Sequence, residues 1–227
     1  QIRLVALWRA IAERFVDEPA VAAYDLLNEP IAWQDELWAE CGAHDWYTDY
    51  YLRYVKKLWP IYTMVKNEIR EVDTNHMLIV QGYGYGSEMN DDALSAPFDP
   101  NMAYSFHYYG DLGGLDMSKY TQKRTLWNRP FFVGEFGEND GRDSYVNSIT
   151  NTFESNNMGW TLWTWKRMNS GGRVPIDVAR HSDWWQMENH MFGDPAPGNA
   201  QSLLWDLVEK IKYENCTQNS AMLNALQ

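Results

Sequence analysis

Five runs of mostly apolar residues, at 21–27, 77–81, 102–108, 131–135 and 159–163, alternate along the chain with stretches of helical periodicity. Strands separated in this way are joined through helices, so they run parallel, and the chain is restricted to an α/β fold whose sheet is covered by helices. The first run, Val21-Ala22-Ala23-Tyr24-Asp25-Leu26-Leu27, shows little polar alternation, as expected of a parallel strand covered on both faces. Ahead of it, Leu4, Leu7, Trp8, Ile11 and Phe15 trace one face of a helix that must stop before Pro19. The spacing predicts a long aromatic helix over 46–72 with a break at Pro60, and helices over 115–127 and 144–155, the last opened by Ser144 as its cap. Residues 166–198 read as a long loop containing glycine and proline. Leu203, Leu204, Leu207, Val208 and Ile211 then mark a closing helix, and the polar tail after Cys216 is expected to fray. With no repeat and no composition break, residues 1–215 are expected to form one domain and 216–227 a polar C-terminal tail.

Charge and composition narrow the partners. With 19 basic against 31 acidic residues the chain carries a net charge of -12, which repels polyphosphate and argues against nucleic acid as a partner. No run approaches the ~18 apolar residues of a membrane span, and the first residues lack the layout of a secretory signal. The chain begins without methionine inside an amphipathic helix, as expected if further polypeptide precedes it. Cys41 and Cys216 either form one long-range disulfide or remain thiols. The histidines lack the spacing that places two metal ligands on one helix face, so no metal is expected. Gly82-Tyr83-Gly84-Tyr85-Gly86 departs from the Gly-x-Gly-x-x-Gly phosphate fingerprint, and no periodic helix begins there. The 12 tryptophans and 14 tyrosines exceed what a core needs. Such rings stack on the axial hydrogens of a pyranose while their polar edges bond its hydroxyls, which favours a carbohydrate partner.

The chemistry-bearing residues stand at strand C-termini, where parallel α/β folds place their ligands. Glu29 follows the first strand and Glu135 ends the fourth. Two carboxyl groups brought to one rim can divide acid and nucleophile roles, because a carboxyl held beside another and partly desolvated keeps its proton while its neighbour stays ionised. Alternation places Ser105, His107 and Tyr109 on one side of their strand, aimed at the same interior space. Thr161, Trp163 and Trp165 likewise share a face and could set an aromatic floor beside the acids.

Leu26-Leu27-Asn28-Glu29-Pro30, His107-x-Tyr109, Val133-Gly134-Glu135-Phe136-Gly137 and Gly159-Trp160-Thr161-Leu162-Trp163, in that order and spacing, resemble glycoside hydrolase family 5, the cellulase family. Asn-Glu-Pro after a strand is also typical of the wider clan of retaining glycosidases on (β/α)8 barrels. The resemblance implies that Glu29 is the acid/base after the family's fourth strand and Glu135 the nucleophile at the end of its seventh. It implies that Asn28 holds the sugar 2-hydroxyl, that His107 and Tyr109 flank the reacting ring and bond the nucleophile, and that Trp163 stacks under the sugar, with Trp165 beside it. The implied activity is that of a retaining endo-β-glycosidase on β-1,4-linked glucan, with mannan, xyloglucan and mixed-linkage glucan as alternative substrates. Double displacement needs no cofactor and sets the carboxyl groups about 5–5.5 Å apart, against about 6.5–9.5 Å for inversion.

The resemblance spans strands four to eight of the family and leaves three strands, with an arginine and a histidine of the site, unmatched. The expected fold is therefore a partial TIM-type (β/α) barrel of about five parallel strands. An open arc exposes a strand edge, so it is expected to be filled by strands of a longer natural chain or by a second copy forming a homodimer. The rival reading is a catalytically weak sugar-binding remnant. The family implies an extracellular location. The lone Asn215-Cys216-Thr217 sequon is too short a pattern to bear on it.

Overall fold

A computed structural model describes residues 2–30, 56–84, 86, 87, 89, 96–137 and 143–227. The five expected strands are present as β1 (Ala23–Asp25), β2 (Met77–Gln81), β3 (Met102–Tyr108), β4 (Phe131–Phe136) and β5 (Trp160–Leu162). They form one parallel sheet in the order β1-β2-β3-β4-β5. Sequence neighbours are spatial neighbours, which is the order that repeated strand–helix–strand crossovers produce. This is the expected partial (β/α) barrel of five parallel strands.

The described residues fall into two compact units, Gln1–Phe136 with Phe153–Thr161, and Gly137–Thr152 with Leu162–Gln227. In the first unit the helices α1 (Ile2–Phe15), α2 (Lys56–Arg70) and α3 (Met117–Trp127) accompany the sheet. Leu78, Val80, Tyr104, Phe106, Val133 and Phe136 are all buried. Those six share one face, and Ile79, Ala103 and Ser105 are buried on the other, the two-sided coverage that the near-continuous apolar pattern calls for. The ring of Trp127 lies 4.6 Å from that of Tyr104, which stacks on Phe131 at 5.0 Å, so α3 is anchored to two strands by aromatic contact. The helix starts where Asp116 accepts the Ser118 N–H at 3.0 Å and stops at Asn128 in the left-handed region.

Several expectations need correction. The helix α2 runs through Pro60 rather than breaking there. Residues 46–55 of the expected helix, and Cys41, lie outside the described residues. The helix α4 (Asp143–Ser155) already begins at Asp143, which places Ser144 inside it and not at its cap. The stretch 166–198 is not a continuous loop but contains β6 (Lys166–Met168), β7 (Ile176–Val178) and α5 (Trp185–Met191). After α6 (Ala200–Lys210), the segment expected to fray forms β8 (Thr217–Gln218), antiparallel to β7, and α7 (Ser220–Ala225), which buries Met222. Burial of one apolar side chain and pairing of the strand give this terminus the anchorage that its polar composition hides.

At the N-terminal end of β2 a polar network closes the first unit. Asp73 is fully buried and accepts the N–H groups of Asn75 at 2.9 Å and His76 at 3.0 Å through Oδ1. Its Oδ2 accepts the Tyr24 hydroxyl at 2.7 Å and lies 2.6 Å from His76 Nδ1. His76 Nε2 stands 3.1 Å from the Glu18 carbonyl, so each ring nitrogen faces an acceptor, the arrangement that suits an imidazolium. Beside it Arg70 makes a two-pronged pair with Asp99 at 2.8 and 3.0 Å.

Candidate active site

The opposite, C-terminal ends of the same strands carry the candidate site. Glu29 lies four positions beyond the end of β1, Gln81 ends β2, His107 lies near the end of β3 with Tyr109 just past it, and Glu135 lies in β4. The β3–β4 register shifts between Phe106 and His107, and the shift brings His107 opposite Glu135. A bulge of this kind re-aims a side chain, and here it aims an imidazole at a carboxylate.

His107 is buried and is the hub of the cluster. Its Nδ1 lies 2.7 Å from Glu29 Oε1 and 3.6 Å from Glu135 Oε2. Whenever Glu29 is ionised it can only accept, so in that state the Nδ1–H donates to it. The Tyr109 hydroxyl donates to Glu135 Oε2 at 2.8 Å. Tyr109 is half-exposed as a residue, yet partial enclosure of its hydroxyl, and then its bond to Glu135, hold the phenol above its ordinary range, so it remains a proton donor throughout neutral pH. One oxygen from each glutamate and a ring nitrogen of His107 all lie within 4.8 Å of one another. Glu29 and Glu135 keep 27% and 17% of their side-chain surface open, enough for both to meet a substrate. By distance the trio could also ligate a cation.

Glu29 itself adopts φ +46°, the left-handed region that non-glycine residues rarely enter. Its N–H donates to Gln81 Oε1 at 2.8 Å. Gln81 is fully buried, and its Nε2 donates to Asp25 Oδ2 at 2.7 Å. The sequence reading missed both residues, although Gln81 is a polar end to an apolar strand, the same signal that drew attention to Glu29. Asp25 is exposed as a residue at the sheet edge, yet enclosure of its carboxyl group pushes it up, against the pull of the Gln81 hydrogen bond. Asn28 touches this network weakly, its Oδ1 lying 3.4 Å from Gln81 Nε2.

Gly134 keeps the floor of the cluster open. A Cβ there would stand 2.3 Å from Ser105 Oγ and 3.1 Å from His107 Nε2. Ser105 is buried and its hydroxyl has no hydrogen-bond partner among the described residues, so to admit a methyl its side chain must turn within a packed site or the strand and imidazole must shift. Gly134→Ala is expected to cost about 1–3 kcal/mol, as overpacking does, with chemical denaturation as the readout. Ser105→Ala should recover part of that loss in the double variant, and a loss unchanged by it would count against this contact.

Of the other expected site residues, Trp163 and Trp165 belong to the second unit, where they are 61% and 49% exposed. Thr161 turns its hydroxyl to the Gly134 carbonyl and therefore braces β4.

A parallel (β/α) sheet with two glutamates meeting beside one imidazole at its carboxyl end is the framework of the carboxylate-pair glycosidases. The sequence matches the family model for cellulase (glycosyl hydrolase family 5) over residues 2–169, a span that holds every residue of the site, and the chain belongs to that family. Endoglucanase C of Acetivibrio thermocellus is 28% identical over 159 residues, which cover 66% of this chain and 40% of that protein. A beta-xylosidase of Phanerodontia chrysosporium is 23% identical over 214 residues, 78% of this chain and 40% of the relative. The chain thus spans about 40% of the length of these two relatives. Among solved structures, endoglucanase Cel5A from the hyperthermophilic Thermotoga maritima superposes with a TM-score of 0.63 at 18% identity, covering 99% of this chain and 65% of that one. At that identity the likeness concerns the fold.

Proposed function

We propose that this chain carries the catalytic centre of a retaining endo-β-glycosidase that hydrolyses β-1,4-linked glucan by double displacement, with Glu135 as nucleophile and Glu29 as acid/base. The observation that carries the proposal is the approach of one oxygen from each glutamate to within 4.8 Å. Retention needs the two carboxyl groups about 5–5.5 Å apart, whereas inversion leaves about 6.5–9.5 Å for an intervening water.

In the first step a Glu135 oxygen bonds to the anomeric carbon as the glycosidic bond breaks, and Glu29 gives its proton to the departing oxygen. In the second, Glu29 takes a proton from water as the water oxygen bonds to the same carbon, releasing Glu135. The Tyr109 hydroxyl bonds Glu135 and the His107 Nδ1–H bonds one oxygen of Glu29, leaving its other oxygen to carry the proton in the first step and to take it in the second. Asn28 is assigned the sugar 2-hydroxyl. The name endoglucanase on the Acetivibrio thermocellus relative supports a β-glucan substrate. A Thermotoga maritima Cel5A structure in complex with mannotriose keeps mannan in the test panel.

Two accompanying proposals concern context. The enzyme works on polysaccharide outside the cell. No helix among the described residues is long and apolar enough to cross a membrane. The outer edge of β1 is completed either by strands of a longer natural chain or by a second copy, and mass measurement in solution separates the two, since a stable monomer contradicts the second. Hydrolysis of soluble glucans and mannans followed by proton NMR tests the reaction. The β-anomer is expected to appear first, and the α-anomer would overturn retention. Glycan binding without any hydrolysis would replace the enzyme by a sugar-binding remnant.

A further inference from the structure

We propose that Gln81 is the positioning residue for Glu29, clamping its backbone in the left-handed conformation so that the carboxylate points at the glycosidic oxygen. This rests on the acid/base role proposed for Glu29 above. A glutamate at φ +46° pays a steric penalty of about 1–2 kcal/mol and persists only where its surroundings hold it there. Two bonds do so. The carboxylate meets His107 Nδ1 at 2.7 Å, and the backbone N–H donates to Gln81 Oε1 at 2.8 Å.

The second bond is directional because the Gln81 amide cannot turn round. Its Nε2 donates to Asp25 Oδ2 at 2.7 Å and reaches Asn28 Oδ1 at 3.4 Å, and both are acceptors. The NH2 end therefore faces Asp25, and the carbonyl end faces Glu29. The Tyr62 hydroxyl donates to the Gln81 main-chain carbonyl at 2.9 Å, which fixes the strand end from which the side chain projects. On its other side, Gly86 leaves the space that Oε1 occupies. A Cβ at that position would approach Oε1 to 3.0 Å. Gln81 is fully buried below the carboxylates, so its influence on the reaction passes through the Glu29 backbone.

Gln81→Met keeps the volume and removes both polar ends. Release of the left-handed turn would swing the Glu29 carboxylate away from the leaving oxygen, and a misplacement of about 1 Å can cost roughly 100-fold. The loss has a signature. A sugar leaving group needs the proton of Glu29, whereas a dinitrophenolate departs without it. In Gln81→Met, kcat/KM on cellotetraose is expected to fall by roughly 100-fold, while on dinitrophenyl β-cellobioside it falls by less than about 3-fold. Asp25→Ala, at the exposed sheet edge, frees the amide and should show the same split at smaller size.

Amide hydrogen exchange reads the clamp without turnover. Protection of the Glu29 N–H should drop by roughly 10-fold in both variants, while Leu78, Val80 and Tyr104 stay protected. Equal losses on the two substrates, or a Glu29 amide as protected as before, would overturn the proposal. Glu29→Ala separates the two claims: if it shows no dependence on the leaving group, the acid/base assignment fails, and the exchange data still decide whether Gln81 holds the turn.

Discussion

Replacing Glu135 by glutamine is expected to lower kcat by about 1,000-fold or more while oligosaccharide affinity, measured by calorimetry, stays within about 3-fold. The amide has nearly the shape of the carboxylate and can still accept the Tyr109 hydroxyl, which lies 2.8 Å from Oε2. What it lacks is the negative charge that makes the oxygen nucleophilic enough to bond the anomeric carbon, so the first step loses its covalent route and the ground state is little disturbed. Activity within about 10-fold of the parent would show that the bond-forming group lies elsewhere. A matched loss of affinity and kcat would instead assign Glu135 to ligand binding.

The second large effect is on stability. Asp73→Ala is expected to destabilise the fold by about 3–5 kcal/mol, or roughly 10 °C in Tm. It strips the acceptor from the buried Tyr24 hydroxyl, the His76 ring and the N–H groups of Asn75 and His76. Burial alone would raise the Asp73 carboxyl, but the His76 N–H, the Tyr24 hydroxyl, the Asn75 N–H and the His76 ring outweigh it and bring it to about 2. Its contribution is therefore complete above the unfolded value near 3.8 and is lost as pH falls towards about 2. His76 moves the other way. Burial lowers it, and the Glu18 carbonyl with Asp73 more than offsets this, so its folded value lies above 6.5. That contribution is complete below 6.5 and is lost as pH climbs through the raised folded value. Thermal unfolding across pH should show a plateau between about 4 and 6.5 with a fall on each side. Asp73→Asn should flatten both limbs, because a neutral amide can donate to an unprotonated Nδ1 while Nε2–H keeps the Glu18 carbonyl. An unchanged profile in that variant would remove the network from the account of stability. The network sits at the end of β2 opposite Gln81, so a folded Asp73→Asn protein should keep its turnover.

These two ends of β2 also show how far the residues speak for themselves. Near-continuous apolar runs such as Leu78-Ile79-Val80 announce buried parallel strands, and all five emerge in the expected places. His107 and Tyr109 were legible as a pair because alternation puts them on one side of a strand, and they do meet the two glutamates. The division of labour was not: the histidine bonds Glu29 and the tyrosine bonds Glu135, a pairing decided by the register shift beside Phe106, which leaves no mark in composition. Gln81 escaped notice because its importance depends on a left-handed turn at Glu29, and a glutamate gives no warning of positive φ. The strands β6 and β7 are three residues each, too short for periodicity to outweigh the glycines and prolines around them, although Val174, Ile176 and Val178 alternate and are buried. The anchored terminus was hidden in the same way, since one buried methionine, Met222, carries it.

The covalent step is the centre of the account, and trapping it is the most direct test. A 2-deoxy-2-fluoro β-cellobioside with a dinitrophenolate leaving group slows both steps but leaves the first achievable, so the sugar accumulates on the nucleophile. Peptide mass spectrometry is expected to find one glycosyl group per chain, on Glu135. A sugar attached to Glu29 or to any other side chain, or turnover that proceeds with no attachment and yields the α-anomer, would contradict it.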